Sequence, residues 1–181
     1  MWKTLQQIGS VGLITQAPPP ADETLRIRQA LQARIQRVLG RALCIRHIDA
    51  GSCNGCELEI HALNNPIYNL EGLGIRFVAS PRHADLLLVT GPVARNMALA
   101  LRRTYEATPD PKLVVAVGDC GCHGGIFGES YATLGSVSQV IPVDVAVSGC
   151  PPAPIRILAG ILTAISAPRG PSAASEQAAH G

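Results

Sequence analysis

Five short apolar runs alternate with helix-patterned stretches along this chain, and that rhythm leaves few ways to fold it. The runs are Leu43 to Ile48, Gly74 to Ala79, Ala84 to Gly91, Lys112 to Gly118 and Val143 to Ser148. Leu86-Leu87-Leu88-Val89 and Val114-Val115-Ala116-Val117 contain no polar residue. A strand is apolar on both sides where both faces of its sheet are covered, as in a parallel sheet. Helices fit between the runs, at Cys53 to Leu63, Val93 to Ala107 and Pro152 to Ile165, which gives a β-α-β rhythm.

The expected fold class is therefore α/β, a flavodoxin-like doubly wound parallel sheet. At 181 residues and 47% hydrophobic, the chain is large enough for one well-packed domain and too small for two. Aromatics make up only 3%, so Val, Ile, Leu and Ala must fill that core. Residues 1–22 end in Ala17-Pro18-Pro19-Pro20, which favours extended chain, and read as an arm, which by its likeness to arms of a known family would bind a partner. Residues 23–40 read as an amphipathic helix, with Leu25, Ile27, Leu31, Ile35 and Val38 near helical spacing. Its Arg26, Arg28, Arg34 and Arg37 form either a solvated face or a basic rim for an acidic partner. Residues 41–166 then make the α/β domain, and residues 167–181, rich in Ala, Ser, Pro and Gly, read as a disordered tail.

Four cysteines stand on loop edges beside glycine or proline. They occur in Gly51-Ser52-Cys53-Asn54-Gly55-Cys56, in Gly118-Asp119-Cys120-Gly121 and in Ser148-Gly149-Cys150-Pro151-Pro152. In a doubly wound sheet, ligands sit beyond the carboxyl ends of the strands. Each of these cysteines follows a predicted strand, so the fold would gather them at one edge. A 4Fe-4S cluster takes four thiolates, and a C-x-x-C pair lets one turn of chain hold two of its corners. A lone cysteine usually fills core volume, but four at glycine-flanked strand ends do not fit that pattern. Structural zinc usually takes two C-x-x-C pairs or a Cys/His mixture, whereas here one pair joins two isolated cysteines. Zinc remains the competing reading. Pro151 and Pro152 suit the first positions of a helix, which would put Cys150 near its N-cap, with Cys53 and Cys56 opening their helix in the same way. Cys44 falls within the first strand and is expected in the core. Cys122 is an alternative to Cys120, which is preferred because it comes directly off its strand.

Other candidates carry two readings each. Glu57 is expected to be a solvated first-turn acid favouring the helix N-terminus. Glu59 is either a second solvated acid of that helix or, by its match to an acidic position of a known family, a proton-passing or partner-binding group. Arg82 and His83 lie in a loop that is either a plain surface turn or, by its likeness to a known family's Ser-Pro-Arg pattern, one that touches a partner's active-site region. His47, His61 and His123 show no metal spacing with one another and are expected to be hydrogen-bonded or exposed. Glycines 118 to 125 lack the lysine and spacing of a P-loop. A formal net charge of +2 with few aromatics argues against a nucleic-acid partner. No run of eighteen apolar residues and no secretory signal pattern is present, so the expected location is cytoplasmic. Six cysteines there point to metal or redox chemistry in preference to disulfides.

The string Gly51 to Ile60, the string Ser80-Pro81-Arg82-His83-Ala84-Asp85, Gly124-Gly125-Ile126-Phe127, and Pro142-Val143-Asp144-Val145 with Gly149-Cys150-Pro151-Pro152 together resemble one family. It comprises the small subunits of formate hydrogenlyase and of energy-converting nickel-iron hydrogenases, with the B subunit of respiratory complex I (NADH-quinone oxidoreductase). The resemblance covers roughly residues 40 to 165. It implies one 4Fe-4S cluster held by Cys53, Cys56, Cys120 and Cys150, beside the active site of a hydrogenase-type large subunit. It also implies a ferredoxin-like iron-sulfur subunit and membrane subunits as further partners, and a position peripheral to the inner membrane. Complex I subunits usually carry adjacent cysteines where this chain has Cys53-x-x-Cys56, so the resemblance favours the hydrogenase branch over a subunit serving quinone. The Cys122 position departs from the family pattern.

Overall fold

A computed structural model describes residues 23–167. The predicted arm and all but the first residue of the predicted tail lie outside the described residues. Five strands form the sheet: β1 (Leu43–Asp49), β2 (Ile75–Phe77), β3 (Leu86–Thr90), β4 (Leu113–Val117) and β5 (Val145–Val147). Every pairing is parallel, and the order β2-β1-β3-β4-β5 is the flavodoxin-like one. The predicted strands are all present; β1 runs one residue further than expected, to Asp49, and the other four are shorter, because the ladder stops wherever the neighbour turns away. β2 and β5 keep only three residues each.

Among the described residues, five α-helices surround it: α1 (Glu23–Leu39), α2 (Gly55–Ala62), α3 (Arg95–Ala107), α4 (Gly118–His123) and α5 (Pro154–Ser166). Alternation along the central strands supplies two cores. Leu86, Leu88, Val115 and Val117 point to one face, where Leu31 and Ile35 of α1 and Ile157 and Ile161 of α5 cover them. Leu87, Val89, Val114 and Ala116 point to the other, under Val93, Leu101 of α3, Val137 and Ile141. Both faces are covered, and this explains why β3 and β4 read as unbroken apolar runs. The arginines of α1 are only partly a solvated face: Arg26 and Arg37 are exposed, while Arg28 donates to the Ile67 carbonyl at 3.0 Å. α5 approaches β5 so closely that a side chain at Gly160 would collide with Val147.

At the amino edge the strands are pinned by carboxylates. Asp85 accepts from the Cys44 N–H at 3.0 Å and pairs with Arg41, and Asp144 accepts from the Val114 N–H at 2.7 Å. Two helix starts differ from the sequence expectation. Asn54 takes a left-handed conformation (φ 72°) as the cap of α2, so Cys53 precedes the helix and Cys56 sits in its first turn. α5 begins at Pro154 with Ala153 as its cap, which leaves Cys150 four residues ahead of the helix and not at its N-cap. The third proline, and not the first, takes the opening helical position. No described helix is long and apolar enough to cross a membrane.

Candidate metal centre

The loop beyond β1 is shaped before it reaches the first cysteine. The Asp49 carboxylate accepts from the N–H groups of Gly51 and Ser52, both at 2.8 Å. Burial pushes its pKa up, but those two hydrogen bonds, with the Ser52 side chain and nearby His47, hold it below the usual range. The turn delivers Cys53 exposed and Cys56 half-buried. Beyond β4 the chain turns at once into α4, so Cys120 sits inside this short helix and does not come straight off the strand. Cys150 follows β5 and is exposed.

The β4 and β5 loops are tied to each other. Asp119 N–H donates to the Gly149 carbonyl at 2.9 Å, and Gly149 N–H donates to the Asp119 carboxylate at 2.8 Å. This reciprocal pair fixes Cys120 relative to Cys150. Two glycines clear space for the thiols. A Cβ on Gly118 (φ 84°) would lie 2.5 Å from Cys56 Sγ, and one on Gly125 (φ 56°) would lie 2.8 Å from Cys120 Sγ. Both have left-handed backbones that favour glycine, so a side chain at either position would strain the backbone and displace a sulfur.

The four predicted thiols influence one another. The Cys56 pKa is pushed up to about 12, first by burial, then by the Glu57 carboxylate and by Cys120, Cys53 and Cys150. Burial also raises Cys120, followed by Cys150 and Cys53. Cys122 faces elsewhere: its Sγ lies 3.8 Å from the Ala116 carbonyl, and its neighbours are Ser148, Asp119 and Val147. Cys44 is buried in β1, as expected. Among the described residues, no three His, Cys, Asp or Glu side chains are placed to share a single metal ion. The glycine cradle and the four thiols at one edge are a donor set that fits an iron-sulfur cluster.

Other predicted residues are spread over the molecule. Glu57 is buried, contrary to expectation, because the wall formed by α2 and β1 closes over it. Glu59 is half-buried. Arg82 and His83 are exposed on a one-turn 3-10 helix, beside Arg41 and Asp85 at the amino edges of the strands. His61 and His123 are exposed, and His47 Nε2 lies 3.1 Å from Thr90 Oγ1. The tie between Asp119 and Gly149 has no signal in the sequence, since nothing there shows two loops meeting.

The family model described as NADH ubiquinone oxidoreductase, 20 Kd subunit, matches residues 53–164, from the first cysteine of the pair into α5. The chain belongs to this family. Among its relatives, the probable membrane-bound hydrogenase subunit mbhJ of Pyrococcus furiosus is 46% identical over 141 residues, covering 76% of this chain and 84% of that protein. Formate hydrogenlyase subunit 7 of Escherichia coli is 39% identical over 168 residues, covering 90% of this chain and 65% of its own length. The B subunit of NADH-quinone oxidoreductase from Desulfovibrio desulfuricans is 45% identical over 107 residues, covering 59% of this chain and 58% of that protein. A solved structure of the membrane-bound sulfane sulfur reductase, an archaeal respiratory membrane complex, contains a chain with a TM-score of 0.61 and 35% identity. The match covers 75% of this chain and 73% of that one. The family is one of subunits of oxidoreductase complexes, and this chain is such a subunit.

Proposed function

We propose that this chain is the electron-transfer subunit of a hydrogenase-type complex, with one 4Fe-4S cluster held by Cys53, Cys56, Cys120 and Cys150. The supporting observation is the gathering of these four thiols at the carboxyl edge, with Gly118 and Gly125 leaving room only for sulfur. When bound, such a cluster supplies one-electron transfer at a potential set by hydrogen bonds to its sulfurs, burial and charge. The chain's own residues position it. Asp49 shapes the first loop, and Asp119 with Gly149 locks the other two together.

Cys53 and Cys150 are exposed, so a partner is needed to exclude water. Large apolar side chains around the same edge would meet it: Leu58 is 61% exposed, Phe127 47% and Ile126 91%. We assign this face to a hydrogenase-type large subunit. Electrons would pass between hydrogen chemistry there and a ferredoxin-like subunit, within an assembly held at the cytoplasmic side of the inner membrane by membrane subunits. The relatives named as B subunits of NADH-quinone oxidoreductase support a second reading, service to quinone. The Cys53-x-x-Cys56 spacing favours the first.

Metal and sulfide analysis of the complex, purified anaerobically through this chain, tests the assignment. Iron, sulfide and nickel together are expected. Iron and sulfide without nickel would transfer the assignment to the quinone branch, and zinc alone would discard electron transfer.

A further inference from the structure

Above the end of β2 the sheet is open along one side of β1. The β1–β2 register ends at Ile45 against Phe77, followed by a last bond from the Val78 N–H to the Ile45 carbonyl at 2.9 Å. β1 stays paired with β3 as far as Asp49. Among the described residues, Arg46 to Asp49 therefore have a strand neighbour on one side only, and a strand edge of that kind is a template for another extended chain. Successive residues of a parallel strand turn their N–H and C=O groups to alternate neighbours. Ile45 bonds toward β2, so His47 turns its own toward the open side.

A cavity of about 300 Å³ occupies this gap, between the free edge and α2, lined by Arg46, His47, Glu57, His61, Phe77 and Val78. The Glu57 side chain is only 7% exposed, and among the described residues neither of its carboxylate oxygens has a hydrogen-bond partner. His47 Nε2 lies 3.8 Å away and is engaged with Thr90. Arg46 Nε is buried with no acceptor among the described residues. A buried carboxylate without donors is costly, and such orphans call for an occupant. The cavity lacks one strong donor and one acceptor beside an unused strand edge. A small cation would answer the first need alone. An extended peptide answers all three.

We propose that an extended segment of a neighbouring subunit enters this slot and adds a short strand beside His47. A lysine or arginine of that segment engages Glu57, and a main-chain carbonyl accepts from Arg46 Nε. The inference rests on the chain being one subunit of a larger assembly, but not on which cluster it holds.

His61 stands exposed at the rim of the cavity. In the intact complex it is replaced by the photo-crosslinking residue p-benzoylphenylalanine, and the illuminated product is mapped by mass spectrometry. The expected linkage is to another subunit, within a few residues of a lysine or arginine. Adding Glu57→Gln should lower its yield about tenfold or more, as expected when one partner of a buried charge pair is neutralised. Linkages confined to this chain, or to a partner segment without a basic residue, would overturn the proposal, as would a yield that Glu57→Gln leaves unchanged. The linkage map from the otherwise unaltered complex does not depend on the Glu57 variant folding. Iron and sulfide measured on the same samples report separately: full iron with no linkage refutes the slot alone, and the linkage without iron refutes the cluster alone.

Discussion

Cys120 and Cys122 stand two residues apart, and their surroundings separate them. Cys120 shares an edge with three other thiols, whereas Cys122 turns toward the Ala116 carbonyl. Replacing Cys120 by serine should remove most of the iron and sulfide from this chain. Cys122→Ser should retain them, with a modest loss of stability, which metal analysis and thermal unfolding of both variants would check. The sequence preference for Cys120 rests on its coming directly off a strand, whereas it lies within α4. Glu57 departs from expectation because a first-turn acid usually answers only to its own helix, while here β1 and Phe77 close over it from distant parts of the chain. His47 gives a pH prediction. Burial first lowers its pKa, against the opposing pull of the Glu57 and Asp49 carboxylates. The folded protein therefore binds fewer protons here than the unfolded chain, so stability is full above about pH 6.5 and falls as pH drops below it. His47→Asn should flatten that part of the stability profile, and an unchanged slope in chemical denaturation between pH 7 and pH 5 would contradict the assignment.

At the scale of elements, β3 and β4 were legible because their residues are apolar on both faces and the structure buries both. The limits of β2 and β5 were not, because their neighbours set where pairing stops, and composition does not encode that. The start of α2 depends on Asn54 adopting a left-handed cap, and that of α5 on which of several prolines opens it. Packing predictions belong here. Leu88 is fully buried between β3 and the helices over it, so Leu88→Ala should cost about 2–5 kcal/mol in denaturant unfolding. Gly118 is different, because a side chain at the β4–α4 junction would sit on a left-handed backbone and push against Cys56 Sγ. Gly118→Ala should lower iron content more than it lowers the unfolding midpoint, and the reverse order would show that the junction serves the fold alone.

For the whole molecule, the parallel order β2-β1-β3-β4-β5 brings segments separated by up to a hundred residues to one edge of one sheet. The rule for carboxyl ends places the four cysteines from sequence, and that part was legible because the rule follows from topology. The meeting of loops through Asp119 and Gly149, and the open slot beside β1, were not legible, since each depends on two distant segments arriving at the same place. The central claim is that Cys53, Cys56, Cys120 and Cys150 hold one four-iron cluster. Mössbauer spectroscopy on the complex grown with isotopically enriched iron, for the wild type beside Cys150→Ser, tests it most directly. The difference spectrum should contain one four-iron component, lost or altered in the variant. Identical spectra would contradict the assignment of these four residues.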